Sequence, residues 1–184
     1  MVAGEAMTRS DRVLRDPAKP ATLADVWEAL KQVPDPEIPV ISIVELGIVR
    51  DVQWAGAAVE VRVTPTYSGC PASDVIVGDI VDAVQALGIA EVRVATQLSP
   101  PWTTDWIDAP ARAKLAAYGI APPATGAPRV NVVGISPLRR GPAIPCPRCR
   151  STRTKLLAQF GSTACKALYR CEACQEPFDY FKPF

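Results

Sequence analysis

The chain has 184 residues, of which 48% are hydrophobic and 21% are charged, and its formal net charge is +1. These values are typical of a globular chain that holds one ordinary domain and a small appendage. No apolar run approaches the roughly 20 residues that span a bilayer, and the N-terminus lacks the apolar core of a signal peptide, so we expect a cytoplasmic protein with reduced thiols. The sequence has no histidine, which excludes Ser-His-Asp triads and His-containing metal sites.

The first 20 residues are polar and aperiodic, and we interpret residues 1–20 as a disordered segment. A helix follows, because Thr22 can cap it with Asp25 three residues later and the next apolar residues recur at helical spacing. The apolar face of this helix consists of Leu23, Val26, Trp27, Leu30 and Val33. Pro34 should end the helix.

Two alternating segments, residues 48–54 and 58–64, flank an Ala-Gly turn and predict a β-hairpin. A second helix is predicted from Pro71 to about Leu87, and residues 91–98 are predicted to form a third strand. This α-β-β-α-β order predicts a small α+β (α/β) domain over residues 21–120, with its helices packed on a mixed sheet.

The C-terminal part has a different character. A short amphipathic helix is predicted near 110–118, and the proline-rich residues 121–145 are interpreted as a linker. Residues 146–184 should form a small β ribbon with strands at 155–160 and 164–170. Residues 1–138 carry 11 Lys/Arg against 16 Asp/Glu, whereas residues 139–184 carry 9 against 3, so the tail is basic.

Two C-x-x-C pairs are the strongest chemical signal in the chain. Cys146-Pro-Arg-Cys149 and Cys171-Glu-Ala-Cys174 are separated by 21 residues, close to the spacing of about 15–20 residues in four-cysteine zinc sites. Two redox-active dithiols or structural disulfides are the alternative, but redox C-x-x-C motifs usually occur singly. We predict a Zn²⁺ site that folds the tail, with iron or an iron–sulfur cluster as the alternative occupant.

Three residues in the first domain could also carry chemistry. Cys70 precedes Pro71 at the predicted start of the second helix, where the helix dipole should lower the pKa of a thiol. Asp35 and Glu37 flank Pro36, and paired carboxylates can bind a hard metal or act as acid and base. The alternatives are a buried small residue for Cys70 and a turn-forming role for the carboxylates.

A family resemblance bears on these alternatives. Residues 35–49, DPEIPVISIVELGIV, and residues 64–72, TPTYSGCPA, resemble the MIP18 (formerly DUF59) family of iron–sulfur assembly factors, and the resemblance extends over residues 22–108. It implies an assembly role and a transient iron or iron–sulfur site. On this basis Asp35, Glu37 and Cys70 are candidate ligands that gather at one end of the sheet.

The rest of the chain narrows the resemblance. Residues 100–107, PPWTTDWI, and residues 160–171, FGSTACKALYRC, resemble the PaaD (also called PaaJ) proteins that are encoded with the phenylacetyl-CoA epoxidase. Members of this group look like accessory proteins that mature the oxygenase system, and the iron–sulfur reductase of that system is the implied partner.

Cys165 has two interpretations. It shares strand parity with Cys171, but six residues at about 3.3 Å each place it about 20 Å away along an extended strand, so it should not be a fifth ligand of the four-cysteine site. It is either a buried small residue or a second, transient contact for iron or a cluster together with Cys70.

Three classes of function therefore remain open. The chain could be a maturation factor for the epoxidase system, a zinc-ribbon scaffold subunit of the same complex, or a nucleic-acid-binding ribbon protein. The third has the basic tail in its favour, but the knuckles lack interleaved aromatic residues. We do not expect independent catalysis, since the chain has neither a phosphate-binding loop nor a nucleophile elbow. A homodimer is compatible with the sequence.

Overall fold

The computed structural model describes residues 20–67, 69–123 and 144–183. The first lobe contains five elements in the predicted order: α1 (Leu23–Leu30), β1 (Val49–Ala55), β2 (Ala58–Val63), α2 (Ser73–Gln85) and β3 (Val92–Thr96). The α-β-β-α-β prediction is confirmed. Residues 1–19 of the segment predicted to be disordered, and residues 124–143 of the predicted linker, lie outside the described residues.

The sheet of the first lobe is mixed, as predicted. β1 and β2 form an antiparallel hairpin, and β3 lies parallel to β2, in the order β1-β2-β3. The hairpin turn contains Gly56 at φ +69°, a conformation that glycine adopts without steric cost. Because β2 is central, Val59 and Val61 are completely buried.

The first helix begins as the sequence predicts. Thr22 and Asp25 form a capping box, which satisfies backbone N–H groups that otherwise have no helical partner. Val26 and Leu30 of α1 are fully buried, whereas Leu23 and Trp27 are only partly buried.

The second helix starts later than predicted. It begins at Ser73, and Ala72 occupies the N-cap position without a side-chain hydrogen bond. The prediction placed Pro71 at the first helical position, but Pro71 precedes the cap. Cys70 therefore lies in the loop two residues before the cap and not at the helix end.

The segment after β3 folds back over the first lobe. A short 3₁₀ turn (Thr104–Trp106) leads to α3 (Ala109–Tyr118), as predicted for residues 110–118. The Trp102 indole N–H donates to the Leu46 carbonyl at 3.0 Å. A side chain at Gly47, whose φ is +76°, would meet Trp106 Cβ at 2.9 Å, so the Leu-Gly turn admits this segment because it has no side chain.

The second lobe is a four-stranded sheet in the order β4-β7-β6-β5. Its strands are β4 (Ile120–Ala121), β5 (Thr154–Ala158), β6 (Lys166–Cys171) and β7 (Pro177–Phe181). Two of them, β5 and β6, were predicted. β4 pairs in parallel with β7, and it crosses the domain boundary that the sequence placed between residues 120 and 121.

The two lobes share a hydrophobic core. Phe181 of β7 is fully buried and belongs to the same cluster as α1 and the first sheet, and its ring centroid lies 5.9 Å from that of Trp102. Cys165 also belongs to this cluster. A smaller cluster inside the ribbon contains Ala121, Ile144, Cys146, Ala167, Cys171, Phe178 and Tyr180.

No helix within the described ranges has the length and apolar character needed to cross a membrane.

Candidate metal centre and interlobe cavity

Four sulfur atoms converge at one end of the ribbon. The Sγ atoms of Cys146 and Cys174 are 3.7 Å apart, those of Cys149 and Cys171 are 3.5 Å apart, and all four lie within 4.8 Å of one another. Cys171 ends β6, whereas Cys146 and Cys174 lie in the two knuckle loops. The hairpin thus joins two C-x-x-C motifs that are distant in sequence.

The spacing of these sulfurs fits a single tetrahedral ion. Metal–sulfur bonds of about 2.3 Å at tetrahedral angles give sulfur–sulfur edges of about 3.8 Å. The two distances of 3.5 and 3.7 Å are close to this edge. A cluster distributes its cysteine ligands over several irons and requires wider separations. The four cysteines could therefore hold one metal ion.

The knuckle backbone also prepares these sulfurs for a cation. The Ala173 N–H approaches Cys171 Sγ at 3.4 Å. Hydrogen bonds from the Cys174 and Ala173 N–H groups lower the pKa of Cys171 to about 6. A thiolate is the form that ligates metal, so the knuckle backbone favours the binding species at Cys171, whereas desolvation and the neighbouring cysteine side chains raise the pKa of Cys174 to about 12.

A second constellation lies where the two lobes meet. A cavity of about 50 Å³ is lined by residues of both lobes, including Asp35, Glu37, Cys70 and Cys165. The three residues expected at one end of the first sheet thus line a common cavity, and the ribbon adds Cys165 to them. Apolar side chains, among them Ile38, Leu46, Ile76 and Phe181, form much of the remaining wall.

The carboxylates are held by the turn that contains them. Asp35 Oδ1 accepts hydrogen bonds from the backbone N–H groups of Glu37 at 2.9 Å and Ile38 at 2.8 Å. Burial nevertheless raises the pKa of Asp35 above its usual value, and the nearby Glu37 charge adds to this effect. The turn-forming role considered for Asp35 is therefore real, and it fixes this carboxyl at the cavity.

The prediction of a lowered pKa for Cys70 is wrong. Burial raises the pKa of the Cys70 thiol above its usual value, and the charges of Glu37 and Asp35 raise it further. The N–H of Ala72 and the Tyr67 side chain oppose this effect without reversing it. The helix was expected to favour the thiolate, but it begins beyond Cys70, and two carboxylates face the sulfur instead.

Tyr67 is a site residue that the sequence analysis missed. Its side chain hydrogen-bonds with Cys70, and burial together with the neighbouring Cys70 raises its pKa to about 12. It also experiences the charges of Glu37 and Cys165. Tyr67 lies within the TPTYSGCPA stretch, but nothing in its spacing indicated its hydrogen bond with Cys70.

Cys165 is buried and belongs to the interlobe cavity. It lies outside the four-cysteine group, and its Sγ is 3.5 Å from Glu37 Oε2 and 3.0 Å from Thr163 Oγ1. Burial raises its pKa to about 11. Both interpretations of Cys165 thus retain support, since it is a small core residue that also contacts a carboxylate.

Lys166 was likewise missed. Its side chain is 5% exposed, and its Nζ lies 3.4 Å from the Glu37 carbonyl oxygen and 3.9 Å from Asp179 Oδ2. The adjacent positive charge lowers the pKa of Asp35 slightly against the dominant effect of burial. A buried lysine is rare without a counter-charge, and Asp179 supplies one.

Comparison with known proteins agrees with this two-part architecture. Residues 23–96 match the family model of the iron–sulfur cluster assembly protein, and residues 133–182 match that of the PaaD zinc beta ribbon domain. A Porphyromonas gingivalis protein named Fe-S protein maturation auxiliary factor is 33% identical over 51% of this chain and 90% of its own length. A crystal structure of a DUF59 domain from Bacillus anthracis is 28% identical, covers 50% of this chain and 89% of that chain, and has a TM-score of 0.46.

One relative spans both lobes. An Escherichia coli (strain K12) protein, described as a candidate subunit of 1,2-phenylacetyl-CoA epoxidase, is 48% identical over 163 residues, which cover 89% of this chain and 94% of that protein. At this identity and coverage, the chain belongs to the PaaD family of phenylacetyl-CoA epoxidase subunits.

Proposed function

We propose that the chain is an accessory factor that assembles or matures iron–sulfur centres of a phenylacetyl-CoA epoxidase system, with the reductase as its client. The observation that carries this proposal is the interlobe cavity, where Cys70 and Cys165 meet Asp35 and Glu37. This cavity is formed partly by the segment that matches the iron–sulfur cluster assembly protein. The relative from Porphyromonas gingivalis is named as a maturation factor and not as an enzyme, and we assign no independent catalysis to this chain.

The electrostatics of the cavity suit a cargo that is bound and then released. Burial and the nearby carboxylates raise the pKa values of Cys70 and Cys165, so an empty cavity favours the neutral thiols. An iron cation relieves the mutual repulsion of the deprotonated groups. Transfer of iron to the client and reprotonation of Cys70 and Cys165 then restore the neutral thiols.

The four-cysteine site has a structural role in this proposal. Cys146, Cys149, Cys171 and Cys174 would hold one Zn²⁺, because their separations fit a mononuclear tetrahedron and the matched ribbon family is named for zinc. Zn²⁺ supplies no redox chemistry, and its contribution would be the free energy that folds the ribbon. A mononuclear iron would satisfy the same geometry.

Client maturation tests the proposal directly. The reductase and the epoxidase subunits are co-expressed with the wild-type chain or a variant, and the iron and sulfide content of the purified reductase is measured. Cys70→Ala and Glu37→Gln should each lower this content, because they remove groups that line the cavity. Glu28→Gln is the matched control, since it removes an exposed carboxylate of α1 that pairs with Lys31. A fully loaded reductase with Cys70→Ala would contradict the proposal.

A scaffold role is the second candidate, and one observation favours it. The edge strand β5 and a residue that follows it expose Leu156, Leu157 and Phe160, which are 41%, 48% and 67% exposed. Exposed apolar side chains at a sheet edge are common in protein interfaces. If Phe160→Asp disrupts co-purification of the subunits while Cys70→Ala leaves client iron unchanged, the scaffold role is favoured.

A further inference from the structure

We propose that the outer edge of the ribbon binds an acidic, extended segment of a partner protein, which adds a strand beside β5. The binding surface consists of Arg153, Lys155, Leu156 and Leu157 in and next to β5 and of Arg170 in β6, and we call it the β5 edge. None of these residues lines the interlobe cavity. The β5 edge therefore gives the ribbon a binding role that is separate from the cavity of the proposed function.

The first observation is a pair of like charges that face each other across two strands. Lys155 and Arg170 are direct partners in the register of β5 and β6, and both residues are exposed. Like charges in this position destabilise a sheet. Within the described residues, neither these two side chains nor that of neighbouring Arg153 forms an ion pair with a carboxylate. The ribbon thus maintains a repulsive cluster of positive charge at its edge.

The sheet of the first lobe treats its arginines differently. Arg62 lies opposite Asp51 in the register of β1 and β2, and its guanidinium is 3.5 Å from that carboxylate. Arg93 of β3 lies opposite Glu60. The same chain therefore places an acidic residue opposite each of these arginines and a lysine opposite Arg170. The unbalanced charge at the β5 edge is suited to an acidic group from another molecule.

The second observation is the apolar surface on the other face of the same strand. β5 pairs only with β6 among the described strands, and Leu156 and Leu157 are 41% and 48% exposed. Leu156 lies opposite Tyr169, on the face opposite to Lys155, because side chains alternate along a strand. A strand added beside β5 therefore needs a carboxylate next to Lys155 and an apolar side chain next to Leu156, at adjacent positions of its sequence.

The β5 edge is also built to reject other strands. A lysine on an edge strand and a bulge both discourage pairing with an arbitrary chain, and the register of β5 shifts between Leu156 and Ala158. An acidic strand turns Lys155 from a barrier into a cross-strand contact and relieves its repulsion with Arg170. The same side chain thus favours one class of partner and disfavours the rest.

Two other occupants fit these observations less well. Nucleic acid is bound on exposed aromatic side chains that stack with bases, whereas the apolar residues of the β5 edge are leucines, and nearby Phe160 is already covered by Lys182 Nζ at 4.5 Å from its ring centroid. A second copy also offers acidic residues, since residues 1–138 carry 16 Asp/Glu against 11 Lys/Arg. A contact between the ribbon of one copy and the first lobe of the next is heterologous, however, and forms an open chain unless its rotation closes. The chain belongs to a family of subunits, which favours a different protein as the partner.

Site-specific cross-linking identifies the occupant. Leu157 is replaced by the photoreactive amino acid p-benzoylphenylalanine in the full zinc-loaded chain, which is co-expressed with the epoxidase subunits, and mass spectrometry identifies the cross-linked peptide. We expect a peptide of another subunit in which an acidic residue adjoins an apolar one. Cross-links only to a second copy or to nucleic acid, cross-links to a segment without acidic residues, or no cross-link at all would each overturn the proposal.

Charge reversal tests the role of the basic pair. Lys155→Glu and Arg170→Glu should each weaken binding of the cross-linked subunit about 2–10-fold at about 0.1 M salt, with a smaller effect at about 1 M salt. Each reversal also places opposite charges across β5 and β6, so the urea midpoint of the chain should stay the same or increase. A purely structural role would instead lower stability and binding together, and retained zinc shows that the ribbon is folded.

Arg93→Glu is the matched control, because it makes the same charge change on an exposed residue in the edge strand of the other sheet. It should leave binding of the subunit unchanged. Wild-type binding in Lys155→Glu and Arg170→Glu, or an equal loss in Arg93→Glu, would overturn the proposal. Client iron in Cys70→Ala tests the proposed function separately, since Cys70 lies outside the β5 edge.

Discussion

Replacing Cys149 by serine should release the metal from the ribbon. Cys149 is the most suitable of the four cysteines, because it is exposed whereas Cys146 and Cys171 are buried. Its replacement therefore removes a ligand with little loss of packing. Its Sγ is 3.5 Å from that of Cys171, and a serine hydroxyl cannot replace a thiolate that shares a common ion with its neighbour at this distance.

The magnitude follows from the strength of such sites. Structural zinc contributes about 10–16 kcal/mol of apparent binding free energy at neutral pH, or about 2.5–4 kcal/mol for each of four equivalent thiolates. At about 1.4 kcal/mol per decade, the variant should bind zinc about 10²–10³-fold more weakly. A chromophoric chelator in competition with the protein measures this change.

Loss of the metal should also lower the stability of the first lobe. The ribbon buries only a small cluster of its own, so without metal we expect proteolysis within 146–183. Withdrawal of β7 removes Phe181 from the shared core, and the first lobe should remain folded but become less stable. Limited proteolysis with mass spectrometry, followed by urea unfolding of the variant, measures both effects.

The control for this experiment is Cys165→Ser, which makes the same chemical change outside the four-cysteine group. It should retain one zinc per chain with unchanged affinity. Stoichiometric zinc of wild-type affinity in Cys149→Ser would refute the tetrahedral assignment. Equal zinc loss in the two variants would show that the effect is not one of ligation.

Three further predictions concern the first lobe and the contact between the lobes. Mild alkylation of the metal-loaded chain should label Cys70 faster than buried Cys165. Because burial raises the pKa of Cys70, the labelling rate of Cys70 at neutral pH should be below that of a free cysteine and should still increase above pH 9. Faster labelling of Cys165 would contradict this order. Phe181→Ala should cost about 3–5 kcal/mol in urea unfolding, since Phe181 is fully buried against both lobes, and a loss below about 1 kcal/mol would refute the shared core. Lys114 lowers the pKa of Glu45, although burial of Glu45 opposes this shift. Their ion pair therefore stabilises the fold above the usual carboxyl pKa, and this stabilisation is lost as pH falls through the lowered pKa. Lys114→Met should cost about 0.2–1 kcal/mol of unfolding free energy at pH 7 and nothing in strong acid, as measured by unfolding at the two pH values.

The sequence by itself determined the elements that depend on neighbouring residues. The capping box of Thr22 and Asp25 specifies where α1 begins, and the Ala-Gly turn specifies the hairpin, because both act through contacts within a few residues. The two C-x-x-C knuckles were recognisable for the same reason. Each knuckle is local, and only the joining of the two depends on the hairpin between them.

Tertiary structure decided the contents of the cavity. The pKa of Cys70 is raised and not lowered because the fold buries the thiol and because Glu37 and Asp35, more than 30 positions earlier in the chain, lie near it. Cys165 at the cavity wall, and Lys166 and Tyr67 beside the cavity residues Glu37 and Cys70, could not be assigned from spacing, since β7 and the two-residue β4 that dock the ribbon carry little periodicity. Burial and charge at long sequence separation depend on how elements pack, and a local pattern does not contain that information.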